Sequence, residues 1–395
     1  MGNQFANELA LKSNVKILSA SKAKRDKREM TEYLQTSLFS LLEQNQTNCT
    51  ALYDLAPRFV SRVERPDDTA YLVAIKKDFT FNGEPYRVTV SPARVIQADG
   101  KERDELPGER EQLVEDVIRR MAADCMKVHQ DQIEIPFSIY AIHRELKRHG
   151  HTFNKQEIKE ALIILNKSNI EITKIVEEGS RKPKPILAAA AYPVLKFSDA
   201  NDPESTASVQ LNPLLVQAIK SLAFEQINYD WMMQVKGSLA RWIFKYISLM
   251  LADTTDESHT IELSAGEIAR SFGHIRKRWR ASLTEVEKAL DSLQKIGCEL
   301  SEIDSIIDNI EKKEIYSGKK KEDIVFTVKL SSKFMDDRFN AKGRRTFVES
   351  EVKRRIDDNQ IAKFHPLTTD EADDLNKSFE DNVVRLPKNK MVVEA

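Results

Sequence analysis

A run of basic residues in the C-terminal half of the chain has side chains that could bind phosphate groups or nucleic-acid bases. The run covers positions 276–280 and consists of Arg276, Lys277, Arg278, Trp279 and Arg280. Guanidinium groups form paired hydrogen bonds with phosphate oxygens and with the O6 and N7 atoms of guanine. Arginine and lysine at this density therefore indicate a site for a polyanion.

The residues around this run are predicted to form a helix-turn-helix. After a short strand at 261–263, Ser264 and Glu267 have the spacing of a capping box, and the helix that they begin ends at Gly273. The next helix has an apolar stripe with steps of four and three residues, formed by Trp279, Leu283, Val286, Leu290 and Leu293. The basic run is predicted in the first turns of this helix, which is the helix that enters the DNA major groove in such motifs.

Not all of these arginines can read bases. Arg276, Arg278 and Arg280 are two residues apart, and on a helix such neighbours point about 200° apart. We expect one or two of them to reach guanine and the others to hold phosphates. Because Trp279 begins the apolar stripe, packing in the core is favoured over stacking on a base.

A hairpin with a basic tip is predicted after the second helix. Residues 324–330 alternate between apolar and polar side chains, as a half-buried strand does. Before this strand, Gly318 is followed by Lys319, Lys320 and Lys321. In this position the hairpin resembles a wing that contacts phosphates or the minor groove. A solvated lysine turn between two surface strands is an equal alternative for the tip considered alone.

The same order of elements is predicted earlier in the chain. A strand at 133–135 and a helix ending at Gly150 precede a second capping box, Asn154 with Glu157. The helix that follows offers Lys155, Gln156 and Lys159 to DNA, and the later basic tip offers Arg181, Lys182 and Lys184. Since this helix start is less basic, we expect the second copy to supply more of the DNA affinity and the first to share its contacts with dimerisation.

The predicted fold class is α+β, mainly α, with two tandem winged-helix domains. The first domain is assigned to residues 51–200 and the second to residues 208–335. A basic, flexible segment at 1–50 is either an arm that lies on DNA or a solvated leader. The polar C-terminal tail covers 336–395, with a helix expected only at about 351–361.

Composition excludes several other classes of protein. The chain has 395 residues, a net charge of −1 and three isolated cysteines, which favours a reducing bacterial cytoplasm without a zinc site. No apolar run is long enough to span a membrane. Phosphate-loop and metal motifs are lacking, and the nearest match to a nicking motif is His149-Gly150-His151, with glycine where an apolar side chain belongs. We therefore expect no enzymatic activity, catalytic residue, metal or cofactor.

The chain resembles the replication initiators of broad-host-range plasmids, which bind tandem repeats called iterons. The resemblance covers roughly residues 30–335 and rests on the two predicted winged helices, the basic helix start and the peptide at 35–39. In this peptide Gln35, Leu38 and Phe39 resemble the motif with which bacterial replication proteins bind the sliding clamp, although Thr36 departs from the usual leucine. A small helix that folds back on the protein is the alternative for this segment.

The resemblance implies a function and a set of partners. Each winged helix would read part of a directly repeated DNA site, and monomers in equilibrium with homodimers would open the origin with the host initiator and helicase. A dimeric winged-helix transcriptional repressor remains the main alternative, and a partition adaptor is a third. The alternatives differ in their targets, because an initiator of this kind binds direct repeats whereas a two-fold symmetric repressor prefers an inverted repeat.

Overall fold

The computed structural model describes residues 46–60, 71–96, 100–125, 127–129, 132–175, 185–198, 206–220, 223–252, 258–273, 278–296 and 305–357. Two compact units account for them. One contains the described residues within 46–218 and 223–342, and the other contains residues 219–220 and 343–357. Every contact discussed below lies within the first of these units.

The first half of the chain combines short strands with three longer helices. In chain order its elements are β1 (Gln46–Cys49), α1 (Ala51–Leu55), β2 (Ile75–Phe81), β3 (Glu84–Val90), β4 (Ala93–Ile96), β5 (Glu102–Glu105), α2 (Glu109–Cys125), β6 (Lys127–His129), β7 (Gln132–Ser138), α3 (Ile139–Arg148), α4 (Lys155–Lys167), β8 (Asn169–Lys174), β9 (Pro185–Ala190) and β10 (Val194–Phe197). We refer to Glu109–Ala190 as the first repeat and to β4 and β5, which pair antiparallel, as the short hairpin.

Helices α3 and α4 form the helix-turn-helix of the first repeat. Gly150, with φ of +80°, follows the end of α3. The predicted capping box begins α4, because Asn154 accepts a hydrogen bond from the Glu157 N–H at 2.9 Å and Glu157 accepts one from the Asn154 N–H at 2.7 Å. Apolar residues on one face of each helix are buried, namely Ile139, Ile142, Leu146, Ile158, Leu162 and Leu165.

The second half of the chain also combines short strands with helices. They are β11 (Thr206–Gln210), α5 (Pro213–Lys220), β12 (Glu225–Asn228), α6 (Tyr229–Gln234), α7 (Ser238–Met250), β13 (Thr260–Ser264), α8 (Ala265–Ser271), α9 (Trp279–Gln294), β14 (Ile307–Ser317), β15 (Lys320–Leu330) and α10 (Ser332–Asp357). We refer to Ser238–Leu330 as the second repeat and to β14 and β15 as the long hairpin. Its succession of helix, strand, two helices and hairpin matches that of the first repeat, apart from the additional strand β6 there.

The two repeats differ in how their strands pair. In the second repeat, β13 pairs directly with β15 in the sheet β13–β15–β14. In the first repeat, the corresponding strand β7 pairs with β6 and β11, whereas β8 and β9 join β2 and β3 in another sheet. Strand β11 thus separates β7 from β10. The duplication holds for element order and is modified in strand pairing.

Buried ion pairs join the first helices of the two repeats. Lys245 of α7 donates to Asp116 of α2 at 2.8 Å and to Asp54 of α1 at 3.2 Å. Arg241, fully buried, donates to Gln112 of α2 at 2.9 Å. Burial acts to lower the pKa of Lys245, but the Asp116 and Asp54 carboxylates outweigh it and raise the pKa. Directional bonds therefore determine how the repeats are placed on each other, because a buried charge that loses its partner is strongly destabilising.

A second contact joins strand β2 to the helix-turn-helix of the second repeat. The Lys77 ammonium group donates to the Phe59 carbonyl at 3.1 Å and lies 5.4 Å from the centroid of the Phe272 ring. Gly273 follows α8 with φ of +64°, and a Cβ atom there would lie 2.9 Å from the Lys77 Cβ. Both the positive φ and the lack of room for a Cβ atom therefore require glycine at position 273. Burial lowers the pKa of Lys77 to about 8.

The C-terminal region contains more helix than the sequence predicted. Of the helix expected at 351–361, residues 351–357 belong to α10, which begins much earlier, at Ser332. Ser331 accepts a hydrogen bond from the Phe334 N–H at 3.1 Å, and Phe334 is fully buried, so the helix is anchored to the core at its start. Residues 358–395 lie outside the described part of the chain. Among the described helices, none combines the length and the apolar character that a membrane span needs.

Candidate nucleic-acid interface

The second helix of the second repeat, α9, has one buried and one exposed face. Four of its five predicted apolar residues, Leu283, Val286, Leu290 and Leu293, are fully buried. The opposite face is exposed at Arg280, Thr284, Lys288, Asp291 and Lys295. Arg280 lies at the N-terminal end of this face, which is the end that contacts base edges in helix-turn-helix proteins.

The sequence analysis predicted the basic run in the first turns of α9. In the structure Arg278 precedes the helix, and Arg280 lies in its first turn. The helix begins at Trp279, and Arg278 occupies the N-cap position in an extended conformation with φ of −103° and ψ of 106°. Arg276 and Lys277 lie outside the described residues. The helical angle of 200° therefore does not relate Arg278 to Arg280. Both of these side chains are exposed at the helix start.

Trp279 is held by packing, as predicted. Its indole N–H donates to the Glu322 carbonyl oxygen at 2.7 Å, and the Arg270 guanidinium carbon lies 5.6 Å from its ring centroid. The ring also approaches α8, since a Cβ added to Gly266 would lie 3.1 Å from it. The side chain thus connects α8, α9 and the long hairpin.

The neighbouring residue of the hairpin, Asp323, fastens it to the start of α8. Asp323 accepts hydrogen bonds from the Ser264 hydroxyl at 2.6 Å and from the Gly266 N–H at 2.7 Å. Ser264 caps α8 by accepting from the Glu267 N–H at 3.0 Å, which is one of the two bonds of the predicted capping box. The strand register shifts at Glu322, and its carbonyl is the one that Trp279 uses. The hairpin is therefore positioned by bonds to both helices.

The tip of the long hairpin presents two exposed lysines. Gly318 has φ of +60° in the two-residue turn between β14 and β15, and Lys319 and Lys320 are exposed. Lys321 differs, because its ammonium group lies 2.5 Å from the Glu314 carboxylate and its side chain is only 12% exposed. Of the three predicted tip lysines, two are presented to solvent and one is paired within the hairpin.

The hairpin tip and the helix start lie close together. The Tyr316 hydroxyl donates to Glu314, and this bond raises the pKa of Tyr316. The positive charge of Arg280 acts in the opposite direction and lowers this pKa. Lys312 forms a 2.6 Å ion pair with Glu287 of α9, and the hydrogen bond that its ammonium group donates to that carboxylate raises the pKa of Lys312. One basic surface thus contains both elements.

Two exposed residues of this surface were missed by the sequence prediction. Thr284 and Lys288 follow Arg280 at four-residue steps on the outer face of α9. The signal was available, because residues opposite the apolar stripe must be exposed. The prediction concentrated instead on the densest run of charge. We include Thr284 and Lys288 in the interface.

The first repeat presents a smaller surface. Gln156 at the start of α4 is exposed. The Lys155 ammonium lies 5.3 Å from the Tyr140 ring centroid, and that of Lys159 lies 5.6 Å from the Phe197 ring centroid. Such cation–π contacts restrict the lysine side chains without neutralising their charge. The remaining predicted residues of this repeat, Arg181, Lys182 and Lys184, lie outside the described part of the chain.

The other predicted sites are not brought together by the structure. Gln35, Leu38 and Phe39, predicted to bind a clamp, lie outside the described residues. His149 lies 3.2 Å from Glu145, whereas His151 lies 2.8 Å from the Met233 carbonyl, so the two rings have different neighbours. Within the described residues, no cluster of His, Cys, Asp and Glu suited to a metal ion is found.

Comparisons with known proteins found solved structures that are similar to this chain. No family model matches this chain, and no curated protein matches it. Two solved structures of domains 2 and 3 of RctB resemble it, one with a TM-score of 0.46 and 11% identity, covering 71% of this chain and 96% of that one. The other has a TM-score of 0.42 and 9% identity, covering 74% and 99%.

The Pi initiator protein in complex with iteron DNA also resembles this chain. Its TM-score is 0.40 at 11% identity, with 56% of this chain and 91% of that one covered. The predicted resemblance to a replication initiator is confirmed to the extent that an initiator bound to iteron DNA is among these structures. With TM-scores below 0.5 the likenesses are distant, and the function proposed below rests on the geometry of this chain.

Proposed function

We propose that the protein binds double-stranded DNA sequence-specifically and initiates plasmid replication at an origin with direct repeats. One observation carries the proposal. The long hairpin is fastened to the start of α9 by the bond of Trp279 and to the start of α8 by the bond of Asp323. Exposed cations project from both, at Arg278, Arg280, Lys288, Lys319 and Lys320.

This arrangement suits a winged helix on duplex DNA. A helix about 10–12 Å wide fits the major groove, which is about 12 Å wide, and the hairpin at its side is then placed on the adjacent backbone. Arg278 and Arg280 at the helix start are the residues that we assign to guanine or to the flanking phosphates. Lys319 and Lys320 at the hairpin tip bind phosphates as point charges.

The role at an origin is supported by the duplicated element order and by the sequence resemblance to plasmid initiators. A second helix-turn-helix in the same compact unit lets one chain contact two parts of a site without a partner. On this proposal monomers, in equilibrium with homodimers, bind iterons in the bacterial cytoplasm. Origin opening then needs the host initiator and helicase, and the protein itself supplies no catalytic residue or cofactor.

A footprint of the purified full-length chain on the DNA flanking its own gene tests the proposal. At about 150 mM salt we expect protection that recurs at one to two helical turns of DNA, as direct repeats require. Replacing Arg276, Arg278 and Arg280 together with alanine should abolish the protection. The matched control replaces Lys76, Lys236 and Lys329, three exposed lysines outside the helix-turn-helix segments, and should retain it.

Different outcomes separate the candidate functions. Protection of one inverted repeat would favour the dimeric repressor. A folded, monodisperse protein without a footprint would exclude sequence-specific binding at this locus. If the control triple variant lost binding as fully as the arginine variant, the affinity would come from diffuse charge and not from α9.

A further inference from the structure

The short hairpin packs along the outer line of α4 in the first repeat, over the C-terminal half of the helix, where Ile163 is half-buried and Lys167 stays exposed. Gln156, Ile163 and Lys167 lie on this line, because separations of seven and eleven residues bring side chains within about 20° of one direction at 100° per residue. Ile163 packs against buried Ala93 and Val95 of the short hairpin. The Lys167 ammonium donates to the Arg94 carbonyl of the same hairpin at 3.1 Å.

The covering hairpin is a fixed part of the fold. Ala93 and Val95 are 0% and 3% exposed and form one buried cluster with Ile164 of α4. On the other side, Arg94 forms a 2.6 Å ion pair with Asp104, whose second oxygen accepts the Leu72 N–H at 3.0 Å. The hairpin is therefore held both to α4 and to the segment that leads into β2.

The first two turns of α4 are not covered in this way. Gln156 is exposed, and the Lys155 and Lys159 ammonium groups lie over the rings of Tyr140 and Phe197. Midway along the helix, Glu160 forms an ion pair with Arg110 at 3.2 Å. In these two turns of α4, the surface open to a ligand contains the Gln156 amide between two restrained ammonium groups.

We infer that the first repeat points the N-terminal end of α4 into the major groove. Gln156 is then the one side chain of α4 that reads a base, and this base is an adenine. The inference rests on the proposed function and goes beyond it. A major groove about 12 Å wide admits one helix and has no room for a hairpin packed on the same face. One helical turn rises about 5.4 Å, against about 3.4 Å for a base pair, so the open end faces one or two base pairs.

The amide of Gln156 supplies the chemistry for this specificity. A glutamine side chain donates to N7 and accepts from the N6 amino group of adenine as a bidentate pair, a pattern that no other base offers in the major groove. Lys155 and Lys159 on either side bind the flanking phosphates, and their aromatic contacts reduce the freedom that they lose on binding. The second repeat differs, since the outer face of α9 is exposed as far as Lys295.

The test measures binding of the full-length chain to the footprinted site and to a set of single-base-pair variants. For the unmodified chain, changing one A·T pair to G·C within the first repeat's contact should weaken binding roughly 5- to 100-fold, the range of a bidentate contact. Gln156→Ala should remove the preference at this pair alone. Gln156→Arg should transfer it to guanine. Lys167→Ala should leave affinity within about two-fold, whereas Lys159→Ala should weaken binding to every variant.

The outcomes distinguish this inference from the proposed function. If the unmodified chain binds no site, the proposed function fails and the inference fails with it. If the chain binds and depends on Arg280, but Gln156→Arg leaves every base preference unchanged, only the inference is overturned. A loss of affinity in Lys167→Ala as large as in Lys159→Ala would also overturn it, because the helix would then lie along the groove. Thermal melting of each variant confirms that the exposed substitutions leave the fold intact.

Discussion

The Glu322 carbonyl oxygen accepts a 2.7 Å hydrogen bond from the indole N–H of Trp279. This bond joins the first residue of α9 to the point where the register of the long hairpin shifts. In the next position, Asp323 binds the first turn of α8. Two consecutive hairpin residues thus determine how the proposed wing is placed relative to the recognition helix.

Asp323→Ala should lower the free energy of unfolding by about 1–2 kcal/mol. The substitution removes the acceptor of the Gly266 N–H and of the Ser264 hydroxyl at the start of α8. Glu322→Ala is the matched control, because its exposed side chain should contribute less than about 0.5 kcal/mol. Urea unfolding of both variants measures the difference, and equal stabilities would show that Asp323 does not anchor the hairpin.

Gly273→Ala should destabilise the protein more than Gly150→Ala. The two glycines occupy equivalent turns and have φ of +64° and +80°, so each substitution costs about 1–2 kcal/mol of backbone strain. Only Gly273 also lacks space, since a Cβ there meets the Lys77 Cβ at 2.9 Å and the Asp78 carbonyl at 3.2 Å. We expect at least about 1 kcal/mol of additional loss, measured by urea unfolding. An equal loss would mean that strand β2 moves away without cost.

Lys77 should make the protein more stable as the pH rises from about 8 to 10. Burial lowers the pKa of Lys77 in the folded chain to about 8, below its ordinary value of 10.5. Between these values the unfolded chain binds more protons, so the free energy of unfolding increases with pH. Over this pH range the free energy of unfolding of the unmodified chain should rise by about 1–3 kcal/mol more than that of Lys77→Met. This range follows from about 1.4 kcal/mol per pKa unit, reduced by some solvent screening.

The control for Lys77 is its exposed neighbour. Lys76→Met removes a lysine from the same strand and should retain the rise of the unmodified chain. Unfolding in urea at pH 7, 8, 9 and 9.5 gives the comparison. Parallel curves for the unmodified chain and Lys77→Met would show that this lysine remains protonated throughout.

Lys319→Ala with Lys320→Ala should reduce the salt dependence of DNA binding. Each phosphate contact contributes about 0.9 to the slope of log K against log [salt], so the double variant should lose about 1–2. The control double variant, Lys329→Ala with Lys333→Ala, removes two exposed lysines from the far end of β15 and the start of α10. Its slope should remain unchanged, and equal slopes for the two variants would show that the tip does not touch DNA.

Local patterns in the sequence determined the elements of the interface and their order. The steps of four and three residues along α9 and the Asn154–Glu157 capping box act over a few residues, so each could be predicted. The duplicated order of helices and strands followed from the same local signals. The start of α9 was placed too early, because the basic residues that precede it have no apolar period to mark a boundary.

Only the tertiary structure decided which of these elements contact one another. The short hairpin covers α4, and β11 separates β7 from β10, through pairings between residues far apart in the chain. The long-range partners of Trp279, Asp323 and Lys77 likewise have no signal at fixed spacing. Side-chain types and periods give each helix its buried face. The surface that stays open for a ligand depends on which distant segments fold against that helix, and this is a property of the assembled core.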